Sequence, residues 1–451
     1  MRDRTRLPHS ALVGPSGARH GRIACLAGSS TFAAAVMLGA ALLSLVIANS
    51  PAREGFEALW EARVRLGLGP ASASISIGHI VNDALMAAFF LLVGIEIKHE
   101  ATSGELADPR RAALPVVAAL GGALVPMGLY LALNAGLPTQ GGWGVPMATD
   151  IAFALGLLAL LGDRVPTGLK VFLSTLAVAD DIIAIVVIAL FYGHAPDLAA
   201  LALAGACLAA LFALNRAGVL ALAPYLALGC LLWAFVYLSG VHATIAGVLL
   251  ALAIPRHVRP DAARRAGLPG SAARSLADEG GEAAAGARQD ASPAGRLERA
   301  LRPWVNLLVL PLFALANAGV VLGGIDLGDD ATARALAGVL VGLVLGKPVG
   351  VLLTSAALVR AGVARLPTGV GWRHMAGAGM LAGVGFTMAV FVSGLAFDDA
   401  AYASAAKAGI LAASALSGAL GLLVLRRACV PAGQGGRVAV GVDGGRAPQA
   451  E

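Results

Sequence analysis

Two adjacent aspartates, Asp180 and Asp181, lie in the middle of a long run of apolar residues. A charge at the centre of a membrane-spanning helix costs roughly 2.5–3.5 kcal/mol on insertion scales, so residues of this kind usually serve a function. Neighbouring helical residues point about 100° apart, and one partner therefore cannot satisfy both carboxylates. Two like charges in a low-dielectric setting also titrate as a coupled pair. The pair indicates a site where protons compete with a hard cation such as Na⁺ for the same oxygens.

Two more charges occupy other apolar runs. Thr149 and Asp150 follow the segment 144–148 (GVPMA), and Lys347 stands between a glycine and a proline. Asp150 could instead cap a broken helix, because an anion near a helix N-terminus is stabilised by the local dipole. Lys347 could simply neutralise an aspartate. Both structural interpretations are compatible with a role beside the aspartate pair, so we predict that these residues support the ion site.

The composition requires a lipid environment for most of the chain. Hydrophobic residues make up 58% of the 451 residues and charged residues only 13%, whereas soluble domains carry about 25% charged residues. The 58 glycines suit close approach of helices inside a membrane. The net charge of +6 predicts no nucleic-acid partner, since in a membrane protein the position of the charges matters more than their sum.

The apolar runs predict an all-α polytopic membrane protein with about twelve spans, because a spanning helix needs about 20 mostly apolar residues. Strands are disfavoured in these runs, which show no alternation with a period of two. The predicted spans are 31–49, 77–97, 113–135, 145–162, 167–192, 196–214, 218–238, 240–254, 302–323, 333–359, 374–397 and 402–425.

Basic residues alternate between the two sides of the membrane. The even-numbered loops and both termini are rich in arginine and lysine, whereas the loop near 136–143 is uncharged and the loop near 324–332 is acidic. Because basic residues favour the cytoplasmic side, both termini are predicted to be cytoplasmic in a multi-pass membrane protein. The predicted divisions are a cytoplasmic segment (1–30), helices 1–8 (31–254), a flexible cytoplasmic linker (255–300), helices 9–12 (301–427) and a disordered cytoplasmic tail (428–451).

Two of the predicted spans are interrupted by glycine and proline. The fourth begins at 141–146 (GGWGVP), and the eleventh contains 383–387 (GVGFT). Matching broken helices in two halves of a transporter indicate an ion site near the middle of the bilayer. Spans 3–5 and 10–12 would each place a broken helix second, which predicts an inverted repeat.

Several segments, in order from about residue 30 to 425, resemble the bacterial NhaA family of sodium–proton antiporters. They are 82–86 (NDALM), 89–98 (FFLLVGIEIK), 148–153 (ATDIAF), 179–181 (ADD), 239–244 (SGVHAT), 311–319 (PLFALANAG) and 383–388 (GVGFTM).

The resemblance implies a secondary transporter, not an enzyme, that exchanges Na⁺, and also Li⁺, for protons by alternating access, with no cofactor. It implies that Asp180 and Asp181 carry the ions, and that Asp150 and Lys347 balance the facing ends of the broken helices. Asp83 would assist from the second helix. The positions associated with the pH response are Glu96, His242 and Glu298. A homodimer is one assembly that the resemblance allows, and the physiological role would be pH and sodium homeostasis.

The sequence departs from the family pattern at a few positions. His99 stands where an arginine is expected, and Arg302 stands where a histidine is common. These two changes bear on the pH profile and not on the exchange chemistry. Another ion-coupled transporter of the same fold is the alternative function. Two adjacent carboxylates argue against an anionic cargo, and a membrane scaffold would not explain the charges inside the spans.

Overall fold

The computed structural model describes residues 30–68, 71–193, 196–256 and 292–429. The predicted cytoplasmic segment (1–30), most of the predicted linker (255–300) and the predicted tail (428–451) lie outside these ranges, apart from a few residues at their edges. These divisions therefore stay predictions, except where the described residues reach into them.

The described residues are mainly helical. The first group of helices is α1 (Ser30–Ala48), α2 (Arg53–Glu61), α3 (Ile77–Ser103), α4 (Pro109–Asn134), α5 (Ile151–Ala159), α6 (Thr167–Phe191), α7 (Leu198–Arg216), α8 (Leu222–Leu238) and α9 (Ile245–Ala253). The second group is α10 (293–317), α11 (Asp330–Arg360), α12 (Trp372–Ala382), α13 (Phe386–Ala396) and α14 (Ala400–Ala428).

Eight of the described helices are long and apolar enough to cross a membrane, and the number rises to ten if each of two bent helix pairs forms one span. The two other predicted spans, 218–238 and 240–254, correspond to α8 with 17 residues and α9 with 9 residues. Both are shorter than the roughly 20 residues of a full span. The all-α polytopic architecture is confirmed.

Large apolar side chains point outward from the helix bundle. Val46 is 65% exposed, Leu190 71% and Leu353 62%. These residues come from three helices that are far apart in the sequence, and a water-soluble protein rarely exposes apolar side chains so widely. Lipid is the solvent that such a surface requires.

Both predicted broken spans are confirmed. A 3₁₀ segment, Pro138–Met147, leads into α5 with a bend of 42°, and α12 leads into α13 with a bend of 44°. Pro146 lacks an N–H group, and glycine weakens a helix interior, so both segments are poor at continuing a helix. The inverted relation between the two triplets of spans stays a prediction.

Three of the long helices contain a π-helical turn. These turns are Ile80–Leu85 in α3, Val305–Val309 in α10 and Gly342–Gly346 in α11. A π turn holds an extra residue and so rotates the side chains that follow it, and it is often found at functional sites. The turn in α11 ends directly before Lys347 and helps to set the direction of that side chain.

Helices α4 and α11 pack closely along a line of glycines. A Cβ atom added at Gly121 would lie 2.6 Å from the carbonyl oxygen of Gly350, and one at Gly122 would lie 3.5 Å from Cε of Lys347. Backbones at this distance leave no room for larger side chains. This packing fixes the depth at which α11 presents Lys347 to the interior.

A short β-hairpin follows α2. Strands β1 (Arg63–Leu68) and β2 (Ala71–Ser76) pair antiparallel, with Arg63 opposite Ser76. The spans predicted from the sequence leave only a loop here, between 31–49 and 77–97. The alternation of apolar and polar residues is weak in β2, so the pattern gave little signal for a strand.

The predicted linker was too long at its C-terminal end. It was expected to reach residue 300, but α10 begins at Pro293. Ser292 caps the helix by accepting a hydrogen bond from the Gly295 N–H, and proline is favourable at the first helical position. The segment is polar enough to resemble a linker, yet Ala294 and Leu297 are buried.

Candidate ion-binding site

The two helix breaks lie against each other. The Asp150 N–H donates a 2.7 Å hydrogen bond to the Val384 carbonyl oxygen, which joins the break before α5 to the break between α12 and α13. The Thr149 hydroxyl lies 2.8 Å from the Ala382 carbonyl oxygen and 2.6 Å from Oδ2 of Asp180. Unwound backbone inside the helix bundle is tolerated because each break supplies hydrogen-bond partners for the other.

Asp150 holds the first turns of both half-helices that follow the breaks. Its Oδ1 accepts a 3.0 Å bond from the Phe153 N–H, which caps α5. Its Oδ2 accepts bonds from the N–H and the hydroxyl of Thr387, at 3.1 Å and 2.6 Å, in the first turn of α13. The carboxylate therefore faces the positive ends of two helices. This agrees with the predicted capping role.

Asp180 and Lys347 form a buried ion pair. The Nζ atom of Lys347 lies 2.6 Å from Oδ2 of Asp180, and both side chains are fully shielded from solvent. Lys347 also donates to the carbonyl oxygen of Met147, at the C-terminal end of the 3₁₀ segment. Its positive charge thus serves both an aspartate and the negative end of a broken helix. The sequence suggested a pairing of this kind but not which aspartate.

Asp181 is different from its neighbour. It is 2% exposed, its Oδ1 atom has no hydrogen-bond partner, and its side chain forms no ion pair within the described ranges. Oδ1 of Asp180 also lacks a partner there. Buried polar atoms are nearly always hydrogen-bonded, so unpaired carboxylate oxygens at this depth call for a bound proton or cation. A proton and a cation would therefore compete for the oxygens of these two carboxylates.

Nearly the whole helical region matches one protein-family model. The family is described as Na⁺/H⁺ antiporter 1, and residues 25–425 match its model. The chain belongs to the Na⁺/H⁺ antiporter 1 family. It is a multi-pass membrane protein of a family of transporters, whose transported ions are Na⁺ and H⁺.

Relatives within the Na⁺/H⁺ antiporter 1 family are similar over most of their length. The chain is 47% identical to the Na⁺/H⁺ antiporter NhaA of Oleidesulfovibrio alaskensis, over 87% of this chain and 90% of the relative. It is 44% identical to Na⁺/H⁺ antiporter NhaA 2 of Sorangium cellulosum, over 90% of each. Identity with NhaA of Dechloromonas aromatica is 47%, over 85% of this chain and 90% of the relative.

Two of the residues predicted for the pH response lie together in this antiporter-family chain. Arg302 donates to Oε1 of Glu96 at 2.8 Å and to Oε1 of Glu298 at 2.7 Å, and so joins α3 to α10. A cavity of about 230 Å³ contacts all three side chains and reaches inward to Val178 and Ile151. Val178 lies one helical turn from Asp181 on α6, so this cavity is a candidate access path.

His242, the third predicted pH-response residue, lies elsewhere. Its Nε2 contacts the carbonyl oxygen of Tyr192, just beyond the end of α6. Tyr192 is fourteen residues from Val178, which is about 21 Å along a helix. The Tyr192 hydroxyl accepts from the Gly144 N–H and donates to the Gly141 carbonyl, both at 2.9 Å. His242 thus contacts the segment that supports the first helix break.

Asp83 also lies apart from the aspartate pair. It is in the π turn of α3, partly buried, and interacts electrostatically with His79 and His242. No hydrogen bond or ion pair links it to Asp180 or Asp181 among the residues described. The structure therefore groups Asp83 with the His242 side of the molecule.

Two residues of the site were not identified from the sequence. Thr387 was noted only as part of a glycine-rich break, although it supplies two donors to Asp150. Arg302 was noted only as a departure from the family pattern, although it holds Glu96 and Glu298. A threonine at the first turn after a break and an arginine four residues after a glutamate were the available signals.

Proposed function

We propose that this protein exchanges internal Na⁺, and also Li⁺, for external protons at the Asp180–Asp181 site by alternating access. The observation that carries the proposal is the pair of neighbouring buried carboxylates, of which one is bound to Lys347 and the other forms no ion pair with any described residue and has an unpartnered Oδ1. The proposed setting is the bacterial inner membrane with both termini cytoplasmic, and the proposed role is pH and sodium homeostasis. Na⁺ and H⁺ are the cargo, and no cofactor is needed.

The chemistry follows from competition at these oxygens. Na⁺ is a hard cation that binds carboxylate and carbonyl oxygens, whereas a protonated carboxylate no longer offers it a negative charge. When a cation binds at the pair, it competes with the ammonium group of Lys347 for Asp180. When the cation leaves, protons or Lys347 satisfy the carboxylates again. The exchange needs only that the site faces one side at a time.

The pH dependence of sodium affinity tests this competition. We expect the apparent Michaelis constant for sodium to fall as the pH rises, because deprotonated carboxylates coordinate the cation. Removing each competing proton costs about 1.4 kcal/mol per pH unit below the value at which the pair ionises. The measurement is proton-driven ²²Na⁺ flux in proteoliposomes across a pH series. A Michaelis constant that stays flat from acid to alkaline pH would contradict competition at this pair.

The proposal includes a pH response at Glu96, Glu298 and His242. It is supported by the cavity that Glu96 and Glu298 share, which extends toward the aspartate pair. It is also supported by the contact of His242 with Tyr192, whose hydroxyl binds the segment before the first break. Arg302 carries a positive charge at all physiological pH values and forms ion pairs with both glutamates, and the pairing with Glu96 favours the ionised form of that residue.

Arg302→Met tests this arrangement. We expect the midpoint of activity against pH to move toward alkaline pH, because Glu96 loses the cation that favours its ionised form. The maximal rate should change little, since Arg302 does not contact Asp180 or Asp181. Arg360→Met, at an exposed position at the end of α11, is the control and should keep the wild-type midpoint. An unchanged midpoint in Arg302→Met would remove these glutamates from the pH response.

A further inference from the structure

A second cavity, of about 630 Å³, is not lined by Asp180, Asp181 or Lys347. It is bounded by the first turns of α4 and α6 and by the loop between α11 and α12. We call it the arginine pocket. Its polar lining consists of Glu105, Arg110, Arg111, Thr167, Thr175, Arg365 and Thr368. Three arginines from two separate elements therefore face one space, against a single carboxylate.

The positive charge of this pocket is only partly neutralised. Arg111 has long contacts with carboxylate oxygens, at 3.9 Å to Glu105 and 3.6 Å to Asp108. The guanidinium groups of Arg110 and Arg365 have no ion pair with any residue of the described ranges. Like charges that converge on a cavity repel one another unless an anion joins them.

The start of α6 adds uncompensated donors to the same wall. The cap residue of α6 is Pro166, and no side chain of the described residues caps this end of the helix. The N–H groups of Thr167 and Gly168 therefore lack partners inside the helix, and the helix dipole makes this end positive. A Cβ atom at Gly168 would lie 2.9 Å from the Thr368 carbonyl oxygen, so the loop is held close to the helix.

We propose that the arginine pocket binds a phosphate group. Guanidinium groups form paired hydrogen bonds to phosphate oxygens, hydroxyls add further donors, and uncapped helix starts favour anions. The phosphate comes from one of two sources, the headgroup of an anionic lipid or a free phosphate in solution. Bound phosphate would tie α4 and α6 to the loop after α11. The proposal does not depend on sodium exchange, because its test measures binding.

The test is thermal unfolding of the full-length protein in detergent. One arm adds inorganic phosphate against chloride at matched ionic strength, and the other adds phosphatidylglycerol against phosphatidylcholine at equal mole fraction. We expect an upward shift of the melting temperature that saturates with the ligand, as for any ligand that binds only the folded state. Arg365→Gln, and Arg110→Gln with Arg365→Gln, should lose at least half of the shift.

Arg373→Gln is the matched control, because Arg373 is exposed in the first turn of α12 and does not line the pocket. It should keep the wild-type shift. A shift with phosphatidylglycerol alone identifies a lipid headgroup, and a shift with inorganic phosphate identifies a soluble ligand; both support the pocket. If neither ligand exceeds its control, or if Arg365→Gln shifts as much as wild type, the proposal is wrong. If the arginine variants unfold, the loss of the melting-temperature shift is measured instead in Thr368→Val, which keeps all charges.

Discussion

Asp181→Asn and Asp180→Asn are each expected to abolish proton-driven sodium exchange, with rates reduced about a hundredfold or more. Each change removes one anion from a buried site, where the loss of a charged partner costs roughly 3–5 kcal/mol, and about 1.4 kcal/mol corresponds to a tenfold change. The measurement is ²²Na⁺ flux in proteoliposomes at equal protein content. Near-normal flux in either variant would rule out the proposed site.

The two variants should differ in stability. Asp181 has no protein partner among the described residues, so its neutral replacement should leave the melting temperature unchanged or higher. Asp180 is paired with Lys347, so Asp180→Asn leaves a buried cation without its partner and should lower the melting temperature. Asp163→Asn, at an exposed turn position, is the control and should alter neither flux nor stability.

Lys347→Ala is expected to lower both stability and exchange. It leaves Asp180 and the Met147 carbonyl oxygen without the ammonium group that they share, and breaking a buried ion pair costs roughly 3–5 kcal/mol. The measurements are thermal unfolding in detergent and sodium flux. If both stay at the wild-type level, Lys347 has no partner that matters and the site described above is wrong.

A double variant distinguishes the loss of the Asp180–Lys347 ion pair from the loss of packing around Lys347. If the cost of Lys347→Ala comes from an unpaired Asp180, the same change should cost much less in an Asp180→Asn background. Equal costs in both backgrounds would mean that Lys347 acts through its aliphatic chain, which packs near Gly122. Lys347→Arg keeps the charge and should lower the melting temperature less than Lys347→Ala does.

The sequence was sufficient for the general architecture and for the candidate ion residues. Long apolar runs predict membrane helices because, within a single segment in lipid, only a helix satisfies all the backbone hydrogen-bonding groups. Charges inside those runs stand out because their cost is high and local. Glycine and proline marked both broken spans, since their effect on a helix does not depend on distant residues.

Other features could not be predicted from the sequence because they depend on neighbours that are distant along the chain. The π turns in α3, α10 and α11 leave no clear pattern in the residues. The hairpin β1–β2 depends on pairing between two weakly patterned segments. The start of α10 depends on burial of Ala294 and Leu297, which local polarity conceals.

Sequence alone predicted that Asp150, Asp180, Asp181 and Lys347 lie within membrane-spanning segments, because each is embedded in an apolar run. Only the tertiary structure decided that Lys347 pairs with Asp180 and leaves Asp181 without a partner in the described chain. The two aspartates are identical in type and adjacent, so the choice between them depends on the direction from which α11 approaches α6. That direction is set by helix packing and by the π turn before Lys347, so it cannot be predicted from the sequence around either aspartate.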